Sequence, residues 1–210
     1  MWGEFLHLFL FEWTILTLME LNQNKLKRCG WCLGDALYEA YHDTEWGVPV
    51  KDDSNLFEFL ILETFQAGLS WITILRKREN FRAAFDNFDY KKIAAYKQEK
   101  INALLKNEGI IRNKLKVNAA VSNASAFMEI QKEFGSFSKY FWAFVDDSPI
   151  KNSIFHYKDA PGNTPLSDII SKDLKKRGFK FVGSTVVYAM MQATGMVNDH
   201  ETSCFRYEEV

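Results

Sequence analysis

Residues 166–195 read LSDIISKDLKKRGFKFVGSTVVYAMMQATG, and the rest of the chain is best approached from this stretch. It reads as two helices, 166–177 and 184–195, joined by the short turn GFKFVG. Gly178 suits a left-handed stop for the first helix. Gly183 opens the second, where free backbone N–H groups and the helix dipole would receive a phosphate. Lys172, Lys175, Lys176, Arg177 and Lys180 crowd around the turn. Two readings stay open here: a sequence-independent grip on a nucleic-acid backbone, or a solvated basic helix end.

Outward from this pair, helical spacing dominates. A short helix is expected over 35–41. Another runs through NLFEFLILETFQA (55–67), capped by Asp53 or Ser54 and broken near Gly68. Ser70 can cap a third, WITILRKRENFRAAF (71–85), and two more are expected over 89–106 and 112–133. Residues 146–165 are loop-like, rich in Pro, Gly, Asn and Asp. No sustained period-2 alternation, repeat or low-complexity tract is present, so the fold class is all-α.

At 210 residues the chain suits one or two small domains, and a 47% hydrophobic fraction is ample for a packed core. Its 18 Phe and six Trp are many for this size and point to an aromatic-lined pocket as well as a core. The formal net charge of -1 supplies no global attraction to nucleic acid, so any such contact must come from a local patch. Three cysteines are too few for a disulfide framework and suggest a reduced, cytoplasmic protein. Residues 1–24 are apolar, but Glu4, His7 and Glu12 interrupt them and no Lys or Arg precedes the run. They lack the positive leader of a signal peptide and the roughly 20 uninterrupted apolar residues of a membrane span. A docked amphipathic helix, a membrane-surface segment and translated upstream sequence with the start at Met19 compete; the last is preferred.

Three further constellations carry chemistry. Cys29 and His42 lie near one end of the chain, and His200 and Cys204, at i and i+4, can converge on a metal at the other. Cys32, in a CxxC with Cys29, is a rival ligand on spacing alone. Glu63 ends the run FEFLILE and shares a helix face with Phe59 and Leu60. Either it reaches solvent at the helix end, or it waits, buried, for a cationic or donor-bearing ligand. QAGLSW follows it, a Gly-bearing turn presenting Leu69 and Trp71. Trp31, Tyr38, Tyr41, Trp46 and Trp71 are separately core-like, but beside a carboxylate they are the ingredients of a box for a flat cation.

In this order these pieces resemble the 3-methyladenine DNA glycosylase I family of the helix-hairpin-helix superfamily. The resemblance covers roughly residues 28–204. Its carriers are RCGW, YHDTEWGVP, LFEFLILETFQAGLSWITILRKRENFRAAF, GIIRNKLKVNAAVSNA, LKKRGFKFVGST and MQATGMVNDH. It implies an all-α helix-hairpin-helix glycosylase over 25–210, the hairpin at about 166–195, and residues 1–24 as an extension. It implies a structural zinc ion on Cys29, His42, His200 and Cys204, with Cys32 a bystander. Glu63 is then the base-reading carboxylate, with Trp31, Tyr38, Tyr41, Trp46 and Trp71 as the base pocket. Gly68 and Leu69 form the tip that wedges into the duplex, while Lys176, Gly178, Lys180, Gly183 and Ser184 contact DNA. Phe181 stands where the wider superfamily usually has a glycine. Asn198 stands where the superfamily's catalytic Asp is usual, with Asp199 displaced by one. No Lys occupies the expected nucleophile position, since Ser184 and Thr185 follow Gly183. The implied enzyme removes 3-methyladenine from alkylated double-stranded DNA without a lyase step, as a monomer with no obligate protein partner and no membrane. The residues name no group that activates water. A non-catalytic DNA-binding module, a glycosylase for another alkylated purine and a zinc hydrolase are the alternatives, and four protein ligands argue against the last.

Overall fold

The computed structural model describes residues 26–210, so the segment 1–24 and the start expected at Met19 lie outside the described residues. Within them run ten α-helices: α1 (Ala36–Thr44), α2 (Asp53–Gln66), α3 (Trp71–Leu75), α4 (Arg78–Ala84), α5 (Tyr90–Ala94), α6 (Gln98–Lys106), α7 (Lys114–Phe134), α8 (Phe137–Trp142), α9 (Pro165–Lys176) and α10 (Ser184–Ala193). Two short strands, β1 (Ile150–Lys151) and β2 (Val197–Asn198), pair in parallel with Ile150 opposite Val197. This ribbon qualifies the all-α expectation: two residues per strand are too few to leave a period-2 signature. It ties the loop-like 146–165 segment to the chain leading into His200. Among the described residues no helix is long and apolar enough to cross a membrane.

Helix α2 is the axis of the fold. Leu56 through Phe65 are buried without interruption, the mark of a helix packed on every face, and α3, α7, α8 and α10 all pack against it. Asp52, rather than Asp53 or Ser54, caps it, accepting from Asn55 N–H at 2.9 Å. Asp53 instead accepts from the N–H groups of Phe137 (2.9 Å) and Ser138 (2.8 Å), fixing the start of α8 against α2.

Two expected helices are each divided. The stretch 71–85 breaks into α3 and α4 at Arg76–Lys77, where Lys77 leaves helical geometry (φ -105°, ψ 0°). The bend brings Phe81 and Phe85 onto Phe65, at ring-centroid distances of 4.8 and 5.7 Å. Tertiary packing overrides local propensity there. The stretch 89–106 similarly becomes α5 and α6. At α9, Thr164 and Ser167 form a reciprocal capping box around Pro165, which fits the first helical turn because its missing N–H would have no partner there.

Candidate functional site

Because α2 is buried on all sides from Leu56 onward, its two glutamates are carried inside. Glu58 meets Arg78 Nε at 2.6 Å and Arg82 Nη2 at 2.8 Å, so its charge is compensated. Glu63, five residues on, is 3% exposed, and its Oε2 has no hydrogen-bond partner among the described residues. It does not reach solvent. Burial alone pushes its carboxyl up to about 8, because desolvation disfavours the charged form.

Glu63 lines a cavity of about 210 Å³ together with Trp31, Tyr38, Tyr41, Trp46 and Trp71, so the structure brings all five expected aromatics around it. Trp31 sits edge-on to Tyr38 (4.7 Å, 63°) and to Trp46 (4.9 Å, 72°), forming one wall. Tyr41 and Trp71 touch at 5.4 Å and 45°, a contact distance for one aromatic pair that leaves no slot for a third ring between them. The indole N–H groups of Trp31 and Trp71 are buried without acceptors among the described residues. The cavity thus offers flat apolar faces, one buried carboxyl with an unpartnered oxygen, and two free donors.

At the C-terminal end of α2, Leu69 N–H donates to Gln66 carbonyl at 2.6 Å. Ala67 (φ -44°, ψ 114°) followed by Gly68 (φ +81°) makes this a type II turn, which requires positive φ at its third position and therefore favours glycine. Leu69 stands 42% exposed at its tip.

Helix α9 ends as a Schellman motif. Gly178 N–H donates to Lys175 carbonyl and Phe179 N–H to Leu174 carbonyl, both at 3.0 Å, with Gly178 at φ +95°. Phe181 follows at φ +55° despite carrying a side chain, a conformation that costs about 1–2 kcal/mol outside glycine. Gly183 caps α10 with no side-chain cap bond, and a Cβ there would meet open space. Lys172, Lys175, Lys176 and Lys180 are exposed. Arg177 is not part of a free basic patch, since it pairs with Asp173 (2.6 Å) and Glu133 (2.7 Å). Ser184 hydroxyl pairs with that of Ser167 at 2.7 Å, joining the first turns of α9 and α10.

Cys29, His42, His200 and Cys204 are all buried, with ligand atoms within 4.8 Å of one another, and could hold a metal ion. Cys29 Sγ to His200 Nδ1 is 3.5 Å, Cys204 Sγ to His42 Nε2 is 3.4 Å and Cys204 Sγ to His200 Nδ1 is 3.6 Å. A tetrahedral site with metal–sulfur bonds of about 2.3 Å and metal–nitrogen bonds of about 2.0–2.1 Å has sulfur–nitrogen edges of about 3.6 Å, so the spacing fits. Asp43 holds the other nitrogen of His42 at 2.8 Å, and the Trp46 carbonyl holds that of His200 at 3.1 Å, the orienting contacts that metal-bound imidazoles use. The two thiols conflict as they stand: the Cys29 thiol is pushed up by its bond to Cys204, whose own thiol that same bond pulls down. A divalent cation would hold both as thiolates. Cys32 stays outside, its thiol donating to Cys29 carbonyl at 3.2 Å.

Residues 31–207 match the family model described as methyladenine glycosylase. The chain belongs to the methyladenine glycosylase family. It is 48% identical over 182 residues to DNA-3-methyladenine glycosylase 1 of Escherichia coli (strain K12), covering 87% of this chain and 97% of that protein. A crystal structure of a 3-methyladenine DNA glycosylase I superposes with a TM-score of 0.83 at 51% identity, covering 85% of this chain and 98% of the other. A tyrosine-to-phenylalanine variant of a 3-methyladenine DNA glycosylase I in complex with 3-methyladenine superposes at 0.82 with 35% identity, covering 85% and 96%.

The methyladenine glycosylase match contains the whole cavity, the 66–69 turn and three of the four cluster residues, Cys29 lying two positions before it. Several cavity residues of this family member escape a reading of the sequence. Asn198 turns away, donating to the carbonyls of Tyr207 (3.0 Å) and Val210 (2.8 Å). Asp199, on the opposite face of the extended chain, lines the cavity and accepts from Tyr188 hydroxyl (2.6 Å), Gln192 (2.8 Å) and Asn152 (2.7 Å). The position therefore keeps a cavity-facing carboxylate, displaced by one residue, but with each oxygen already engaged. Tyr157 forms another part of the wall, its N–H held by Glu201 Oε1 at 2.9 Å. The β1–β2 pairing and the bridge between Ile154 and Glu201 bring that loop there, and a loop-like sequence carries no signal for either.

Proposed function

We propose that this methyladenine glycosylase hydrolyses the N-glycosidic bond of 3-methyladenine in alkylated double-stranded DNA, as a monofunctional base-excision repair enzyme. The observation that carries the reading is Glu63, a buried carboxyl with an unpartnered oxygen in an aromatic cavity. A 3-methylated adenine in DNA is cationic, so its glycosidic bond is already weakened and its departure needs no protonation by the enzyme. In the empty cavity burial holds Glu63 largely protonated at neutral pH. A flipped-out cationic base that donates to it stabilises the carboxylate, whereas neutral adenine leaves Glu63 protonated and gains no such charge attraction. Selectivity then arises from the cost of burying Glu63. The base stacks on the aromatic walls, on one face of the Tyr41–Trp71 pair rather than between the two rings, and Trp31 and Trp71 offer N–H donors to its ring nitrogens.

Gly68 and Leu69 fill the gap the base leaves. The helix-hairpin-helix of about 166–195 grips phosphates through Lys176, Lys180 and the backbone at Gly178, Gly183 and Ser184. With no lysine at the head of α10, no Schiff base forms and the strand is not nicked. Cys29, His42, His200 and Cys204 hold one zinc ion; four protein ligands leave it no open position, so it joins the ends of the 25–210 unit and takes no part in the reaction.

The test is to incubate methylated duplex DNA with the protein and separate the released bases by chromatography. Release of 3-methyladenine alone is expected. Release of 7-methylguanine as well would make this a broader alkylpurine glycosylase, and no release would make the hairpin a binding module only. Freshly purified protein should carry zinc near one equivalent, and under about half an equivalent would count against the four-ligand site.

A further inference from the structure

Lys116 and Asn123 lie seven residues apart on α7, two turns, so they share a face and stand about 10 Å apart along its axis. Both are buried, at 6% and 0% exposure. The Lys116 ammonium donates to the carbonyls of Phe65 (2.8 Å) and Ala67 (2.6 Å), which flank the end of α2 and the start of the turn presenting Leu69. No carboxylate among the described residues pairs with it, and burial lowers its pKa. An ammonium held there is costly to desolvate. The negative end of the α2 dipole offsets that cost, and α2 has no basic residue in its own last turn.

Asn123 makes the matching contact at the hairpin. Its Oδ1 accepts from Lys180 N–H at 2.8 Å, and its Nδ2 donates to Lys180 carbonyl at 3.0 Å. The loop carrying Lys180 and the strained Phe181 is thereby fastened to the same face of α7 that fastens the Leu69 turn.

We infer that Lys116 and Asn123 are positioning residues that make α7 a rigid spacer, fixing the Leu69 turn and the phosphate-gripping hairpin at a set separation along the bound duplex. The inference rests on the proposed reading of those two loops as DNA contacts. Neither residue touches the base. Lys116 acts through the turn that fills the duplex gap, and Asn123 through the loop that holds the backbone.

The two roles separate kinetically. K116M, with K116Q as a milder variant, and N123A, with N123S, are compared with the parent on methylated duplex DNA under single-turnover conditions across enzyme concentrations. Binding of free 3-methyladenine is followed by tryptophan fluorescence. For K116M the maximal excision rate falls about tenfold or more, within the range that an ångström of misplacement costs, while half-saturation and free-base binding move less than about threefold. For N123A the half-saturating concentration rises about fivefold or more while the maximal rate is nearly kept, as for a lost ground-state contact. If K116M excises at the parental rate, or if excision and free-base binding fall in equal proportion in either pair of variants, the spacer role is overturned. A parent that releases no base overturns the functional reading, and this inference with it; a parent that releases base while both variants match it overturns the spacer alone.

Discussion

The two ends of α2 solve the same problem in opposite ways. Glu58 and Glu63 are five residues apart on one buried helix, roughly 140° around its axis from each other. Glu58 faces Arg78 and Arg82 and is fully compensated. Glu63 faces aromatic rings and two unused indole donors, and nothing compensates it. An interior carboxylate with two guanidinium partners is a structural joint. One with an unpartnered oxygen beside a cavity raises the energy of the free protein, and a ligand of suitable charge can recover that energy. The difference lies in what α4 and α3 bring to each end, since the helix itself treats the two residues alike.

Breaking each end should therefore move stability in opposite directions. The largest effect is expected for E58A, which leaves the Arg78 guanidinium, at 10% side-chain exposure, with only the more exposed Glu45 as a partner. Loss of one partner of a buried pair costs about 3–5 kcal/mol, read as a fall in the denaturant midpoint at pH 7. A loss below about 1 kcal/mol would show Arg78 to be rescued by Glu45, its other partner at 2.6 Å.

E63Q should do the reverse, in a pH-dependent way. The folded-state pKa of Glu63 is raised to about 8, while in the unfolded chain it titrates near the usual carboxylate value of about 4.3. Between those values the folded state holds a proton that the unfolded state has released, so this group's contribution to stability falls as pH rises through the window and levels off above it. E63Q removes the dependence. Parent and variant should unfold alike near the lower end of the window, and above its upper end the variant should be more stable by a few kcal/mol, at about 1.4 kcal/mol per unit. Parallel stability curves for the two proteins would mean that Glu63 is compensated after all. The smallest effect is expected for R82A: Arg82 is 35% exposed in its side chain and Glu58 retains Arg78, so a loss of about 1 kcal/mol or less should follow.

Much of this contrast is legible in the residues, but unevenly. A carboxylate inside the run FEFLILE flags Glu63, and the spacing of QAGLSW marks a turn because a type II turn needs the glycine it contains. His200 and Cys204, one helical turn apart in number, offer a candidate ligand pair without excluding Cys32; the three-dimensional arrangement, which gathers Cys29, His42, His200 and Cys204, leaves Cys32 out of the cluster. The pairing of Glu58 with Arg78 and Arg82 is silent, because a gap of 20 or 24 residues carries no periodic signal. The same holds for Lys116, which reads as one more solvated cation until α7 is laid against the end of α2. Asp199 is visible as a residue, yet only the parallel pairing of β1 with β2 decides that it, and not Asn198, faces the cavity.

The central claim is that Glu63 reads the base. The most direct measurement is the single-turnover rate of 3-methyladenine release from methylated duplex DNA by E63Q beside the parent, with fold and metal content confirmed equal. A fall of about 100-fold or more, the scale for losing a preorganised charged contact in a dry site, is the expected result. An E63Q protein that releases 3-methyladenine as fast as the parent would contradict the account.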